Sequence, residues 1–451
     1  MSKILETIKR EEAHQEKTLK MIASENYCSK NVRSVMNSIL TDKYAEGYPE
    51  HRFYGGCENI DTIEQLAIDY AKMLFGAEHA YVQPHSGADA NLCAYWAILY
   101  KRIVLPFLKD RKIEELSKQE FNELRDLCHN QKLLGLDYSC GGHLTHGYRM
   151  NISSHIFDCY HYGVNNEGLI DYEEVAKKCK QIKPLILLVG YSAYPRKINF
   201  KIMRDIADSV GATLMVDMAH FAGLVAGKVF TEEFDPVNWA DIVTSTTHKT
   251  LRGIRGGLVL CKEEYKEAVD KGCPLVIGGP LPHAIAAKAL TFEEALSNDF
   301  KEYTQQVVKN AQVLAETLKK NHIKVLTDGT DNHMVLVDLT SLPYSINGRQ
   351  AENLLGRLGI TCNRNSIPND PSGAWYTSGI RLGTAALTTR GLKEEDFEEI
   401  GDIISNILKE ARATILKSGK LSRLHAYTSD EDALKKRIDR IVDKYPLKDY
   451  L

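Results

Sequence analysis

The 451-residue chain sets 57 Lys and Arg against 60 Asp and Glu, a net charge of −3, with 43% hydrophobic and 26% charged residues. That balance is of an ordinary globular protein and gives no electrostatic reason to expect nucleic acid or a membrane surface as partner. The length exceeds one hydrophobic core and predicts two domains, while the ten cysteines hold no Cys-x-x-Cys pair, which predicts reduced thiols rather than a disulfide frame or ribbon-type zinc site.

Residues 1–30 read as an N-terminal helical arm with Ile4, Leu5 and Ile8 on one side, suited to a second subunit or to solvent. The start carries no apolar signal region, and the longest apolar run, Pro184 to Val189, cannot span a bilayer; a cytoplasmic protein is expected. Lys43–Pro49 and Arg52–Glu58 form an aromatic and acidic loop, the kind of segment that lines sites. Tyr81–Asn91 runs from a strand into a helix whose first residues, Ser86 and Gly87, are a candidate anion seat; an N-cap by Ser86 accounts for the same pattern. Residues 101 to about 135 read as a charged, solvent-facing helical excursion.

Cys140-Gly141-Gly142-His143-Leu144-Thr145-His146-Gly147 offers a metal reading through Cys140, His143 and His146, but its spacing matches no standard zinc pattern and no metal is expected. The glycines also allow an imidazole to lie close against a flat ligand. From Ile156 to Val225, apolar strands alternate with helices, which predicts a mainly parallel sheet covered on both faces. Ligands in such sheets bind at the carboxyl ends of strands, where Ser192, Asp217, His220 and Lys249 fall. Residues 31–297 are expected to form this large domain, with the 101–135 excursion inserted, and residues 298–451 a smaller α+β domain whose strand Thr377–Gly383 carries Arg381.

Lys249 lies in Thr244-Ser245-Thr246-Thr247-His248-Lys249-Thr250, between the apolar Ala240–Val243 and the glycine-rich Arg252–Gly257. A lone lysine is usually a surface residue. At a buried strand end it loses solvation, its pKa falls, and the neutral amine can condense with an aldehyde, the first step of pyridoxal phosphate chemistry. Asp217 could then keep the cofactor's pyridine nitrogen protonated, Arg381 could bind an amino-acid carboxylate in a bidentate pair, and Glu46 could serve as acid/base with His143 and His220 as rivals.

Lys43-Tyr44-Ala45-Glu46-Gly47-Tyr48-Pro49, Tyr54-Gly55-Gly56-Cys57, Gly141–Gly147, Val216-Asp217-Met218-Ala219-His220, Thr246–Thr250 and Thr377–Arg381 together resemble serine hydroxymethyltransferase, over nearly the whole chain and in that family's order. The resemblance implies an α/β, fold-type I pyridoxal-phosphate-dependent transferase with a mainly parallel seven-stranded sheet and a smaller C-terminal domain. It implies reversible hydroxymethyl transfer between serine and glycine with tetrahydrofolate as co-substrate, in a homodimer whose active sites are shared between subunits. Lys249 would be the Schiff-base lysine, Asp217 the pyridinium partner, His143 the stacked ring and His220 the partner of the phenolic oxygen, with Ser192 alongside. Ser86, Gly87 and His248, with Gly278 and Gly279 of a second subunit, would seat the phosphate. Arg381 would hold the substrate carboxylate, with Ser24, Thr246 and Arg255 nearby. Glu46 would transfer a proton, with Tyr44 and Tyr54 reaching in from the neighbouring subunit. Glu46, Phe53, Tyr138, Gly142, His143, Leu144 and Asn365 would line the folate. The chain departs from the family pattern at Ser86-Gly87-Ala88-Asp89, where one phosphate hydroxyl is lost, and at Phe53-Tyr54, where the family has paired tyrosines. The same scaffold could instead serve a folate-independent aldolase or alanine racemase.

Overall fold

The computed structural model describes residues 2–447. Its large domain is organised on strands β1 (His79–Tyr81), β2 (Lys132–Leu136), β3 (Asp158–Tyr162), β4 (Ile186–Gly190), β5 (Thr213–Asp217), β6 (Ile242–Thr246) and β7 (Gly257–Cys261). They form one seven-stranded sheet in the order β1-β7-β6-β5-β4-β2-β3. Pairing is parallel from β6 through β3, and β7 alone runs the other way, antiparallel to both neighbours. Strands β4 to β7 are buried at every position, as a sheet covered by helices on both faces requires. One face packs on Val216, Phe221, Leu258 and Phe292, the other on Tyr95, Leu188, Met215 and Val259.

This topology sets the site. The carboxyl ends of β4, β5 and β6 deliver Gly190, Asp217 and Thr246 to one edge. Because β7 is antiparallel, it starts at that edge, so Arg255 and Gly256 arrive there as well. At the same edge, β1 leads through Gln83 and Pro84 into helix α1 (Gly87–Leu99), N-capped by Ser86.

The small domain has strands β8 (Lys324–Val325), β9 (Met334–Asp338), β10 (Asn363–Asn365) and β11 (Gly379–Gly383) in the antiparallel order β8-β9-β11-β10. Arg381 stands opposite Leu336 and Asn363 on β11. A second core of Leu314, Val335, Leu354, Ile380 and Ile403 holds this unit together.

The expected boundaries shift in three places. In the arm, only the helix Lys3–Glu16 lies free of any buried residue; Leu19 and Lys20 pair in parallel with Ile360 and Thr361, and Leu19 and Met21 enter the small-domain core. The border expected at residue 298 falls within one element: the helix Asn298–Lys320 packs Phe300, Tyr303 and Val307 on the large core and Ala311, Leu314 and Leu318 on the small one. The excursion ends earlier than 135, because Lys132–Leu136 is strand β2, buried inside the sheet. A charged helix, Lys118–His129, runs directly into this short strand and masks it in the sequence. Met1 and residues 448–451 of the expected C-terminal domain lie outside the described residues.

Candidate active site

Lys249 projects into a cavity of about 390 Å³ lined by Ser24, Ser86, Gly87, His143, Ser192, Asp217, His220, Thr246, His248, Arg255 and Arg381. With Lys249, twelve of the expected cofactor, catalytic and substrate residues thus meet at the sheet edge. The Lys249 amine donates to Thr246 Oγ1 at 3.0 Å, and Thr246 in turn donates to the Ala219 carbonyl at 3.2 Å. Burial lowers the Lys249 pKa to about 8; the Asp217 carboxylate pulls it up, while Arg381 and Arg255 push it further down. At neutral pH about a tenth of such an amine is uncharged, far more than of a solvated lysine. The turn is fixed from below: Asn26 donates to the Lys249 carbonyl at 2.8 Å and Thr250 donates to the His220 carbonyl at 2.9 Å.

Asp217 ends β5 and is 7% exposed. Burial works against its ionisation, but His146, His143 and Asn91 outweigh burial and hold it below the usual carboxylate range. Its Oδ2 accepts from Asn91 Nδ2 at 2.9 Å and lies 3.2 Å from His146 Nε2; its Oδ1 accepts from the Ala219 N–H at 3.0 Å. A carboxylate so supplied with donors stays anionic and can keep a cationic ring nitrogen opposite it. His143 is oriented by Thr145, whose hydroxyl lies 2.7 Å and whose N–H lies 3.2 Å from Nδ1. Burial lowers the His143 pKa to about 4, so the ring is neutral at physiological pH. His220, also kept neutral by burial, stacks on His333 at 5.5 Å with their nearest ring nitrogens 3.3 Å apart.

Arg381 is 9% exposed, and burial lowers its pKa to about 10, still cationic at neutral pH. Its Nε donates to Asn363 Oδ1 at 3.0 Å and its Nη1 to the Ser192 carbonyl, which turns the guanidinium toward the cavity. A second cavity of about 380 Å³ shares Ser192 and Arg381 with the first and adds Tyr138, Gly142 and Asn365, three of the residues expected to line the folate. Leu144 is 41% exposed and lines neither cavity.

The anion seat is tight. A Cβ on Gly87 would lie 2.6 Å from Thr246 Cγ2, so only glycine lets the helix start approach β6. Ser86 Oγ accepts from the Asp89 N–H at 3.2 Å and donates to the Asp89 carboxylate at 3.0 Å, so the acid that follows Ala88 holds this hydroxyl. His248 Nδ1 is buried with no hydrogen-bond partner among the described residues. An amine, an anionic carboxylate, a neutral imidazole and a helix start with His248 and Arg255 together fit an aromatic aldehyde that bears a phosphate, which is the chemistry of pyridoxal phosphate.

Other expected residues stand apart. Tyr44, Glu46, Phe53, Tyr54, Gly278 and Gly279 do not line the Lys249 cavity. Gly279 packs instead on the Tyr44 ring, 3.1 Å from its Cβ position to Tyr44 Cζ, and its carbonyl lies 3.1 Å from His85 Nε2. Tyr44 and Tyr54 pair at 4.8 Å and are 54% and 48% exposed, and Phe53 is 69% exposed. The loop is held by Arg52, which bonds the Ala45 and Gly47 carbonyls, Asp61 and the buried Glu64. Gln83 donates to both Glu64 and the Gly47 carbonyl. The potential metal ligands that meet among the described residues are His143, His146 and Asp217, with Cys140 outside the group.

Sequence reasoning missed Asn91, Thr145, Asn363 and His333, and offered His146 only as a metal ligand, not as the partner of Asp217 that it is; the asparagines act through contacts that no local pattern announces.

A model of the serine hydroxymethyltransferase family matches residues 2–105 and 122–404, leaving out part of the excursion. Curated relatives carrying that name include proteins of Treponema pallidum, 55% identical over 92% of this chain and 72% of its own length, and of Mycolicibacterium smegmatis, 53% identical over 94% and 88%. A third, from Salinispora tropica, is 52% identical over 99% of this chain and 94% of its own length. With its sheet-edge lysine, its strand-end acid and a match that runs nearly end to end, the chain belongs to the serine hydroxymethyltransferase family.

Proposed function

We propose that the chain transfers the hydroxymethyl group of serine to tetrahydrofolate, forming glycine, 5,10-methylenetetrahydrofolate and water, and runs the reverse reaction as well. The observation that carries this reading is the gathering of Lys249, Asp217 and Arg381 around one cavity that shares Ser192 and Arg381 with a second. Pyridoxal phosphate, when bound, supplies an aldehyde that takes up an amine and a ring that accepts the electrons released at the substrate's α carbon. Lys249 would hold it, and Asp217 would keep a proton on the pyridine nitrogen. His143 would cover the ring face as a neutral imidazole, and His220 would bond the ring oxygen. Ser86, Gly87 and His248 would seat the phosphate, and Arg255, expected from the resemblance near the substrate, lines the same cavity and would add its charge to that seat.

Arg381, which lines both cavities, would fix the amino-acid carboxylate beside the second one. A guanidinium suits this role because it stays charged when buried and bonds a carboxylate with two parallel N–H groups. Tyr138, Gly142 and Asn365, with His143 of the first cavity, would hold the pterin of tetrahydrofolate close enough to receive the one-carbon unit.

Glu46 would move the proton at the substrate hydroxyl, with Tyr44, Phe53 and Tyr54 around it. In one chain this group stands outside the Lys249 cavity with its aromatic rings exposed, which supports a homodimer in which the loop of one copy completes the cavity of the other. Gly279, packed beside Tyr44, would travel with that loop together with its neighbour Gly278. A cytoplasmic setting belongs to the same proposal; its support is that the ten cysteines are all unpaired. No helix of the described residues is long and apolar enough to cross a membrane.

The test is serine cleavage with and without tetrahydrofolate. The reading predicts strong stimulation by folate and glycine formation in step with methylenetetrahydrofolate. Equal rates in both assays would contradict it and favour a folate-independent aldolase.

A further inference from the structure

Lys288 lies on the helix Pro282–Ala295, is 1% exposed, and has no part in the chemistry above. Its Nζ donates to the backbone carbonyls of Val82 at 2.6 Å, Pro84 at 2.8 Å and Gly257 at 3.0 Å. Three acceptors around one nitrogen match the three N–H bonds of an ammonium; a neutral amine offers two. Burying such a group is costly unless every N–H is used, and here every one is. Burial lowers its pKa to about 7, while the carboxylates of Glu64 and Asp89 raise it.

The three carbonyls belong to two segments that wall the Lys249 cavity. Val82 and Pro84 lead into His85-Ser86-Gly87, and Gly257 follows Arg255-Gly256. The segments touch with no slack. A Cβ on Gly257 would lie 2.1 Å from the Ser86 carbonyl, and one on Gly256 would lie 2.4 Å from Lys288 Cε. The Gly257 N–H also donates to the Pro84 carbonyl at 2.9 Å, so the lysine reinforces an existing junction from behind.

We propose that Lys288 is a positioning residue for the cofactor's phosphate: it locks the helix entry at Ser86-Gly87 to the Arg255-Gly256 turn, so that the two halves of the anion seat hold one spacing before a ligand arrives. The inference rests on reading Ser86 and Gly87 as part of that seat. It predicts an effect on ligand affinity rather than on the chemical step, since Lys288 reaches neither the cavity nor the reacting atoms.

The experiment titrates the full-length apoprotein with pyridoxal phosphate, followed by absorbance, and with inorganic phosphate as competitor, in the wild type, Ser86→Ala, Lys288→Met and Lys288→Gln. Ser86→Ala should bind both ligands more weakly. Given that, Lys288→Met should raise both dissociation constants about tenfold, the order of one hydrogen bond to a charged group. Its kcat at saturating cofactor should stay within about threefold of wild type, the signature of lost binding rather than lost chemistry. Lys288→Gln, which keeps two N–H donors, should fall between, and it decides by the same criterion if Lys288→Met does not fold. Wild-type affinities in Ser86→Ala would overturn the seat reading and this inference with it. Weakened Ser86→Ala beside wild-type affinities and a lowered Tm in Lys288→Met, equal with and without cofactor, would overturn the inference alone and leave Lys288 a purely structural residue.

Discussion

The Lys249 cavity and the Lys43–Glu58 loop are both dense in candidate functional side chains, yet one encloses them and the other presents its aromatic rings to solvent. In the cavity, Asp217 and Arg381 are at most 9% exposed, and their partners are supplied by five separate stretches of the same chain. In the loop, only the supports are buried: Arg52 and Glu64 are fixed, while Tyr44, Phe53 and Tyr54 are largely open. A site that must perturb an amine and a carboxylate needs low dielectric surroundings before any ligand comes. A segment that completes another copy's site needs a rigid base and a free face. Under the proposed dimer, the difference separates what one chain builds alone from what two would build together.

The comparison is broken first at Asp217. Asp217→Asn keeps the shape but removes the charge that holds a ring proton, and kcat should fall on the order of 10³-fold, within the range of a lost acid/base or charge partner. Steady-state kinetics at saturating cofactor checks this, and a loss under tenfold would mean that the enclosed acid is not doing this job. Mixed dimers come next. Lys249→Ala and Glu46→Gln chains, each nearly inactive, should on mixing recover about a quarter of the wild-type rate, since half the dimers are mixed and each then holds one intact site. No recovery in dimers shown to have exchanged would place both residues in one chain's site. The smallest effect is in pH. Because burial lowers the Lys249 pKa to about 8, the reactive neutral amine is lost as pH falls below that value. The rate at which apoprotein recombines with pyridoxal phosphate should drop about tenfold per pH unit from 7 to 6 and level off above 9. A midpoint near the solvated lysine value would show that the cavity leaves the amine unperturbed.

The strand ends were legible in the sequence. Gly211–Asp217 and Ala240–Thr246 are apolar runs with polar termini, and a parallel sheet brings such termini together wherever they lie in the chain. Arg381 was legible for a different reason, since a lone arginine between Gly379 and Gly383 on a buried strand needs a partner. What contacts these residues was not. Asn91, on the helix that follows β1, reaches Asp217 only because β1 and β5 lie in one sheet, and Asn363 meets Arg381 through a strand register set by the small-domain core. Strand β2 escaped notice because five residues, Lys132–Leu136, follow a charged helix without a strong turn signal. The position of Gly279 beside Tyr44 was hidden likewise, since it depends on how the loop folds back.

The account rests on Lys249 as the cofactor's covalent anchor. Borohydride reduction of protein loaded with pyridoxal phosphate, followed by peptide mass spectrometry, tests it most directly. The prediction is a single pyridoxyl group on Lys249, absent from Lys249→Ala. A label on Lys288 or another lysine, with residue 249 unmodified, would contradict it.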